Sequence, residues 1–189
     1  PQGVVAVCRD VTVGVEVVLG SAPRLVAGLA EVRDPGNAGT IIRTADAAGA
    51  DAVIRTAASV DPLGGKCVRA SAGSIFHLPI VTGQTVDVLE TLRWAGLRVL
   101  VADGSAPRTL ADPGLGSTLT GPTAWVLGNE AHGVPGEYAR AGDASVSVPL
   151  YGRAESLNVS VAAALCLYAS AEAQRAAAHA DDGRHRSEH

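Results

Sequence analysis

The run Leu25-Val-Ala-Gly-Leu-Ala-Glu-Val32 leads almost directly into Asp34-Pro-Gly-Asn-Ala-Gly-Thr-Ile-Ile-Arg43, and this junction sets the architecture. The first part is short, apolar and bounded by turn formers, as a buried strand is. The second turns at Pro35-Gly36, offers Asn37 as a cap, and continues into a helix over Thr40–Ala48. A strand that ends in a polar turn and then a helix is the unit of a layered sheet, whose ligand-binding loops gather at strand ends.

The unit recurs along the chain. Ala52–Ile54, Leu97–Ala102, Ala124–Leu127 and Ala144–Val148 read as further buried strands, with helices over Val86–Trp94 and Val134–Arg140. Such alternation predicts an α/β domain, a mainly parallel sheet flanked by helices. The last strong element, Ser156 to about Ala173, carries Leu157, Val161, Leu165 and Tyr168 at helical spacing with alanines between them. Residues 180–189 are polar, with nothing to bury, and are expected to fray.

Two further polar stretches interrupt apolar runs: Gly128-Asn-Glu-Ala-His-Gly133, after Trp125-Val-Leu127, and Glu155-Ser-Leu-Asn-Val-Ser160. Buried polar side chains need partners, so these stretches require structural or ligand contacts. Gly128 at a strand end permits close backbone approach to a ligand. Gly128 and Gly133 have the glycine spacing of a phosphate loop, but Val134 follows where Lys and Ser or Thr would stand, and no GxGxxG is present. Both nucleoside triphosphates and dinucleotides are therefore disfavoured. Ser156 reads as an N-cap and Asn158 as a first-turn residue, where propensity alone does not explain it. Arg43 stands among small and apolar helix residues, its planar guanidinium suited to a phosphate or carboxylate.

Composition narrows the class. With 189 residues, one domain with a sizeable core is expected. Hydrophobic residues make up 47% of the chain, yet no run approaches the roughly 18 apolar residues of a membrane span. With no secretory signal visible either, the expected compartment is cytoplasmic. Cys8, Cys67 and Cys166 are widely spaced, which suggests buried free thiols and neither a disulfide framework nor a metal site. A net charge of −4 does not advertise a nucleic-acid binder, but Arg33, Arg43, Arg55, Lys66 and Arg69 cluster in sequence and could form a local basic face.

The three polar stretches, in this order from about Leu29 to Tyr168, resemble the three motifs of the SpoU family of RNA ribose 2′-O-methyltransferases, in the SPOUT superfamily. Lys66-Cys-Val-Arg-Ala-Ser-Ala-Gly-Ser-Ile-Phe-His-Leu-Pro79 resembles the family's segment between motifs one and two. The resemblance implies a deep C-terminal trefoil knot, although true knots are almost absent from proteins in general. It implies S-adenosylmethionine as methyl donor and structured RNA as acceptor, ribosomal RNA before transfer RNA. A non-catalytic RNA-binding or assembly protein of the same fold is the alternative.

By the same resemblance, Asn37, Arg43, Glu130, Ser156 and Asn158 belong to the catalytic site. Ala102, Asp103, Gly104, Leu127, Gly128, Asn129, Gly133, Val148, Leu150, Ser156 and Leu157 surround the cofactor, and Arg43, Lys66 and Arg69 meet RNA. Ser71 and Ser74 resemble a loop and short helix near that RNA. The family's dimers imply a homodimer with Arg43 donated across the interface. A guanidinium stays protonated and is a poor general base, so the expected role of Arg43 is electrostatic. The chain starts at Pro1 and contains no Met, so either an initiator residue has been removed or an N-terminal segment is absent. The resemblance favours a preceding RNA-binding domain, with the catalytic domain over residues 1–175 and a flexible tail over 176–189.

Overall fold

The strand that begins at Leu25 stops at Leu29, short of the expected Val32, because Glu31 adopts a left-handed backbone with φ of 60° that no strand accommodates. The computed structural model describes residue 3, residues 6–129 and residues 133–187, with side chains as far as Ala180. In chain order the elements are α1 (Val15–Gly20), β1 (Leu25–Leu29), α2 (Pro35–Ala48), β2 (Ala52–Thr56), α3 (Gly65–Ala70), β3 (Ile80–Gln84) and α4 (Asp87–Trp94). There follow β4 (Arg98–Ala102), α5 (Gly116–Leu119), β5 (Thr123–Leu127), α6 (Gly136–Ala141), β6 (Ala144–Val146) and α7 (Val159–Ser187).

The six strands form one sheet in the order β3-β2-β1-β5-β4-β6, and all five pairings are parallel. A parallel sheet must be covered on both faces. Here alternate residues of β1 divide between two cores. Leu25, Ala27 and Leu29 join Trp125 beneath α2 and α7, whereas Val26 joins Val99 and Val126 beneath α4 and α6. Strand β3 was not expected from the sequence; only Ile80 and Val81 of it are fully buried, before Thr82-Gly83-Gln84.

Local chemistry shifts the expected helix starts. Asp34, and not Asn37, caps α2: its Oδ1 accepts the Asn37 N–H at 2.9 Å, and Pro35 fills the first turn where no donor is needed. That N–H bond holds the Asp34 carboxyl below its ordinary range. Gly49 ends α2 in the left-handed conformation. Asn158, and not Ser156, starts α7, its Oδ1 accepting the Ser160 N–H at 2.9 Å. The helix then continues to Ser187, past its expected end near Ala173 and through residues expected to fray.

Helix α7 docks through its small residues. Val159, Ala163, Cys166, Leu167, Ser170 and Ala171 are buried, whereas Val161, Leu165 and Tyr168 stay 48%, 45% and 41% exposed. The buried Ser170 hydroxyl accepts from Trp125 Nε1 at 2.9 Å and from the Thr123 hydroxyl at 3.0 Å, fastening α7 to β5. Gln174 adds amide bonds to the carbonyls of Arg24 and Gly121. Ser170→Ala is expected to lower stability by about 1–3 kcal/mol, because a buried indole N–H loses its acceptor. An unchanged urea midpoint would show that the pair contributes nothing.

Burial pushes the Cys67 thiol up to about 11 and the Cys166 thiol to about 12. Cys8 is exposed, contrary to the expectation of three buried thiols. Among the described residues no helix is long and apolar enough to cross a membrane.

Candidate methyl-donor cleft

Strands β5, β4 and β6 are neighbours, and their carboxyl ends open onto one cleft, where ligands bind in open parallel sheets. Ala102, Asp103 and Gly104 follow β4 on one side. Leu127, Gly128 and Asn129 follow β5, with Gly133 closing the loop. From the chain that returns after β6, Val148, Leu150, Ser156 and Leu157 form the remaining wall. The cleft thus brings together all eleven residues that the sequence marked for cofactor contact. Val146, Glu155, Val159 and Ala162 line it as well and were not singled out. Glu155 lay inside a quoted motif, and Ala162 stands one turn beyond Asn158, so position in the motif was the available signal.

The loop after β5 is built on contact between backbones. Asn129 and Gly133 exchange two backbone bonds of 2.8 Å each. A Cβ at Gly128 would overlap the carbonyl group of Gly133 and the nitrogen of Val134. The close approach that glycine allows at Gly128 is therefore to its own chain, where a ligand had been expected. Asn129 Nδ2 donates to the Glu31 carbonyl at 3.2 Å, tying this loop to the end of β1. The left-handed turn at Glu31 lies at that junction. Asp103 Oδ1 accepts from the N–H and hydroxyl of Ser105, which shapes the turn after β4.

The remaining site residues lie beside the cleft. Asn158 Nδ2 donates to Asn37 Oδ1 at 3.0 Å, joining the start of α7 to the first turn of α2. Neither side chain lines the cleft, and neither does that of Arg43. Arg43 stands six residues beyond Asn37, about 9 Å along the helix, on an exposed face. Its guanidinium has no hydrogen-bond or ion-pair partner among the described residues. Glu130 and its neighbour His132 lie outside the described residues.

The proposed RNA-side cations separate into three groups. Lys66 Nζ sits 3.4 Å from Asp34, exposed at the start of α2, while Arg69 is exposed without a partner on α3. Helices α2 and α3 meet closely, since a Cβ at Gly39 would overlap the Cys67 carbonyl. Arg33 pairs with Glu31 at 2.8 Å, and Arg55 donates to the Ser59 carbonyl. Ser71 and Ser74, in the segment expected near RNA, are buried: Ser71 bonds the Val68 carbonyl, and Ser74 bonds Asp46.

The charge of the cleft selects its ligand. Its lining contains two carboxylates, Asp103 and Glu155, and no Lys or Arg among the described residues. Six of its side chains are larger aliphatics: Leu127, Val146, Val148, Leu150, Leu157 and Val159. This composition suits a cationic, phosphate-free adenosyl compound and repels a nucleotide phosphate. S-adenosylmethionine, a sulfonium with an ammonium group, fits these residues.

A parallel sheet with such a cleft defines a ligand-binding α/β domain. Residues 24–168 match the model of the SpoU rRNA Methylase family, and the chain belongs to that family. It is 40% identical over 168 residues to the 23S rRNA (guanosine(2553)-2′-O)-methyltransferase RlmP of Bacillus subtilis (strain 168), covering 89% of this chain and 64% of that protein. Identity to the 23S rRNA (uridine(2479)-2′-O)-methyltransferase of Streptomyces viridochromogenes is 38%, covering 71% of this chain and 47% of that one. The crystal structure of the SpoU methyltransferase AviRb from the same organism, in complex with AdoMet, superposes with a TM-score of 0.70 at 34% identity. It covers 81% of this chain and 60% of that chain. The chain thus spans about half to two-thirds of the length of these relatives.

Proposed function

We propose that the chain is the catalytic domain of an S-adenosylmethionine-dependent RNA 2′-O-methyltransferase acting on a ribose of ribosomal RNA. The observation that carries this reading is the apolar cleft at the ends of β4, β5 and β6, which bears two acids and no cation among the described residues. The AdoMet complex of AviRb and the 23S rRNA substrates in the relatives' names support it. Those relatives modify different nucleotides, so the target position is this protein's own property.

When bound, S-adenosylmethionine supplies an electrophilic methyl carbon. Asp103 and Glu155 hold its positive charge, and the aliphatic wall excludes water from the adenosyl group. Asn158 and Asn37 brace the start of α7 against α2. Arg43 grips the phosphate next to the target ribose and stabilises the hydroxyl oxygen as its proton leaves to solvent. Since Arg43 does not line the cleft of its own chain, a homodimer with Arg43 reaching the partner's cleft is the arrangement we favour. The exposed stripe Val161, Leu165 and Tyr168 on α7 supports an interface there. The knotted path belongs to the same reading: the chain leaving β6 bonds residues 106–110 through Ser147 before delivering Asn158 to Asn37.

The test is a heat-shift titration followed by transfer of labelled methyl to an unmodified 23S rRNA transcript. At a hundredfold excess over Kd, S-adenosylmethionine should stabilise the fold by about 2.7 kcal/mol, and label should appear on a ribose. Cofactor binding without transfer to rRNA or tRNA would favour the non-catalytic alternative.

A further inference from the structure

Between β6 and α7 the chain from residue 148 to residue 157 makes no hydrogen bond or ion pair among the described residues. It is pinned only at its ends. At one, the Ser147 N–H donates to the Arg108 carbonyl at 2.8 Å; at the other, Asn158 bonds Asn37. Leu150 lines the donor cleft, and the next residue, Tyr151, is 88% exposed and outside the lining. Arg153, two residues further, is exposed and has no partner. Leu150 and Glu155 both line the cleft, so the segment between them that carries Tyr151 and Arg153 runs along its edge.

A bare aromatic at such a place needs an account, since the chain has only six aromatic residues. Trp94, the other nearly bare one at 89%, ends α4 beside the start of β4, at the opposite end of the sheet. Phe76 and Tyr168 are exposed as well, but among the described residues Tyr151 is the exposed aromatic whose chain neighbour lines the cleft, so it is placed to meet whatever approaches the methyl donor. A ribose presented there brings a base on one side and a phosphate on the other. Splayed RNA bases stack on aromatic side chains, and guanidinium groups grip phosphates.

We propose that Tyr151 and Arg153 form the RNA-side rim of the cleft, with Tyr151 stacking on a base of the segment that carries the target ribose and Arg153 holding its phosphate. The proposal rests on the methyl-transfer reading of this cleft. Tyr151 and Arg153 then act on presentation of RNA and leave binding of the methyl donor alone.

The experiment measures Kd for a 23S rRNA transcript by filter binding, Kd for S-adenosylmethionine by calorimetry, and oligomeric state by sedimentation, on Tyr151→Ala, Tyr151→Phe and Arg153→Ala. Tyr151→Ala is expected to weaken RNA binding about fivefold or more, while Tyr151→Phe stays near wild type because the ring carries the contact. Arg153→Ala should lower the slope of log Kd against log salt by about 0.7, one phosphate contact to a single strand. S-adenosylmethionine affinity and oligomeric state should not change in any of them. RNA binding within twofold of wild type in Tyr151→Ala, or equal losses in the Ala and Phe variants, overturns the proposal. So does a changed oligomeric state in Tyr151→Ala, which would place Tyr151 against a partner protomer. If the unmodified protein itself fails to bind S-adenosylmethionine, the methyl-transfer reading fails separately, whatever the RNA result.

Discussion

Replacing Arg43 with Ala lowers methyl transfer by about 10²- to 10³-fold at saturating RNA and cofactor, with no change in affinity for S-adenosylmethionine. The expectation follows from position and charge together. Arg43 does not line the cleft, so the cofactor does not need it, and its guanidinium has no partner among the described residues. A fixed cation near the reacting hydroxyl acts where negative charge develops, which is a rate effect more than a binding effect. Arg43→Lys keeps the charge and loses the planar fork, so its single-turnover rate should fall between those of wild type and the Ala variant. Near-normal turnover in the Lys variant would remove any need for the fork, and a parallel loss of cofactor affinity in the Ala variant would place Arg43 in the donor site.

Gly128→Ala abolishes tight cofactor binding by a different route. The new methyl group would occupy the space of the Gly133 carbonyl and the Val134 nitrogen, and backbone cannot step aside as a side chain can. The two Asn129–Gly133 bonds must then open, and with them the wall of the cleft that follows β5. A cost of about 3 kcal/mol in stability and a loss of more than tenfold in S-adenosylmethionine affinity are expected by thermal melting and calorimetry. Gly114→Ala, where a Cβ meets nothing within 4 Å, serves as the control and should melt like the parent. Gly128→Ala and Arg43→Ala together also test the proposed dimer. Each would be inactive alone, yet a mixed dimer joins one intact cleft with one intact Arg43. Equal mixing with free exchange should restore about a quarter of wild-type activity. No recovery after subunit exchange would argue against sharing of the site.

The strands under the cleft were legible because each is a short run ending in a polar turn, and their parallel pairing followed from the α/β alternation, whereas their order in the sheet did not. Strand β3 was not, since Pro79 precedes it and Thr-Gly-Gln ends it, leaving two core residues as its whole signal. The orientation of α7 was hidden for a tertiary reason. Val161, Leu165 and Tyr168 lie outward, and Ala163, Cys166, Leu167 and Ser170 lie inward because α2 and the sheet approach closely, which periodicity of large side chains does not reveal. Asn37 was read as the cap of α2, but Asp34 holds that position, and Pro35 at the first helical position decides it. Residues contributed by three distant segments could be grouped through motif resemblance. The same resemblance has Arg43 donated across a dimer interface, away from the cleft of its own chain, whereas the face that α2 buries against α7 and the sheet was not readable from it.

The bonds that complete this domain join residues far apart along the chain: Asn158 to Asn37 spans 121 positions, and Gln174 to the Arg24 carbonyl spans 150. Chains whose native contacts are this non-local must close large loops before those contacts repay the lost entropy. Folding should accordingly be slow for a protein of this size. Because the clasp comes from α7, which follows every strand of the sheet in chain order, the nascent polypeptide cannot assemble its ligand chamber until that helix has been made.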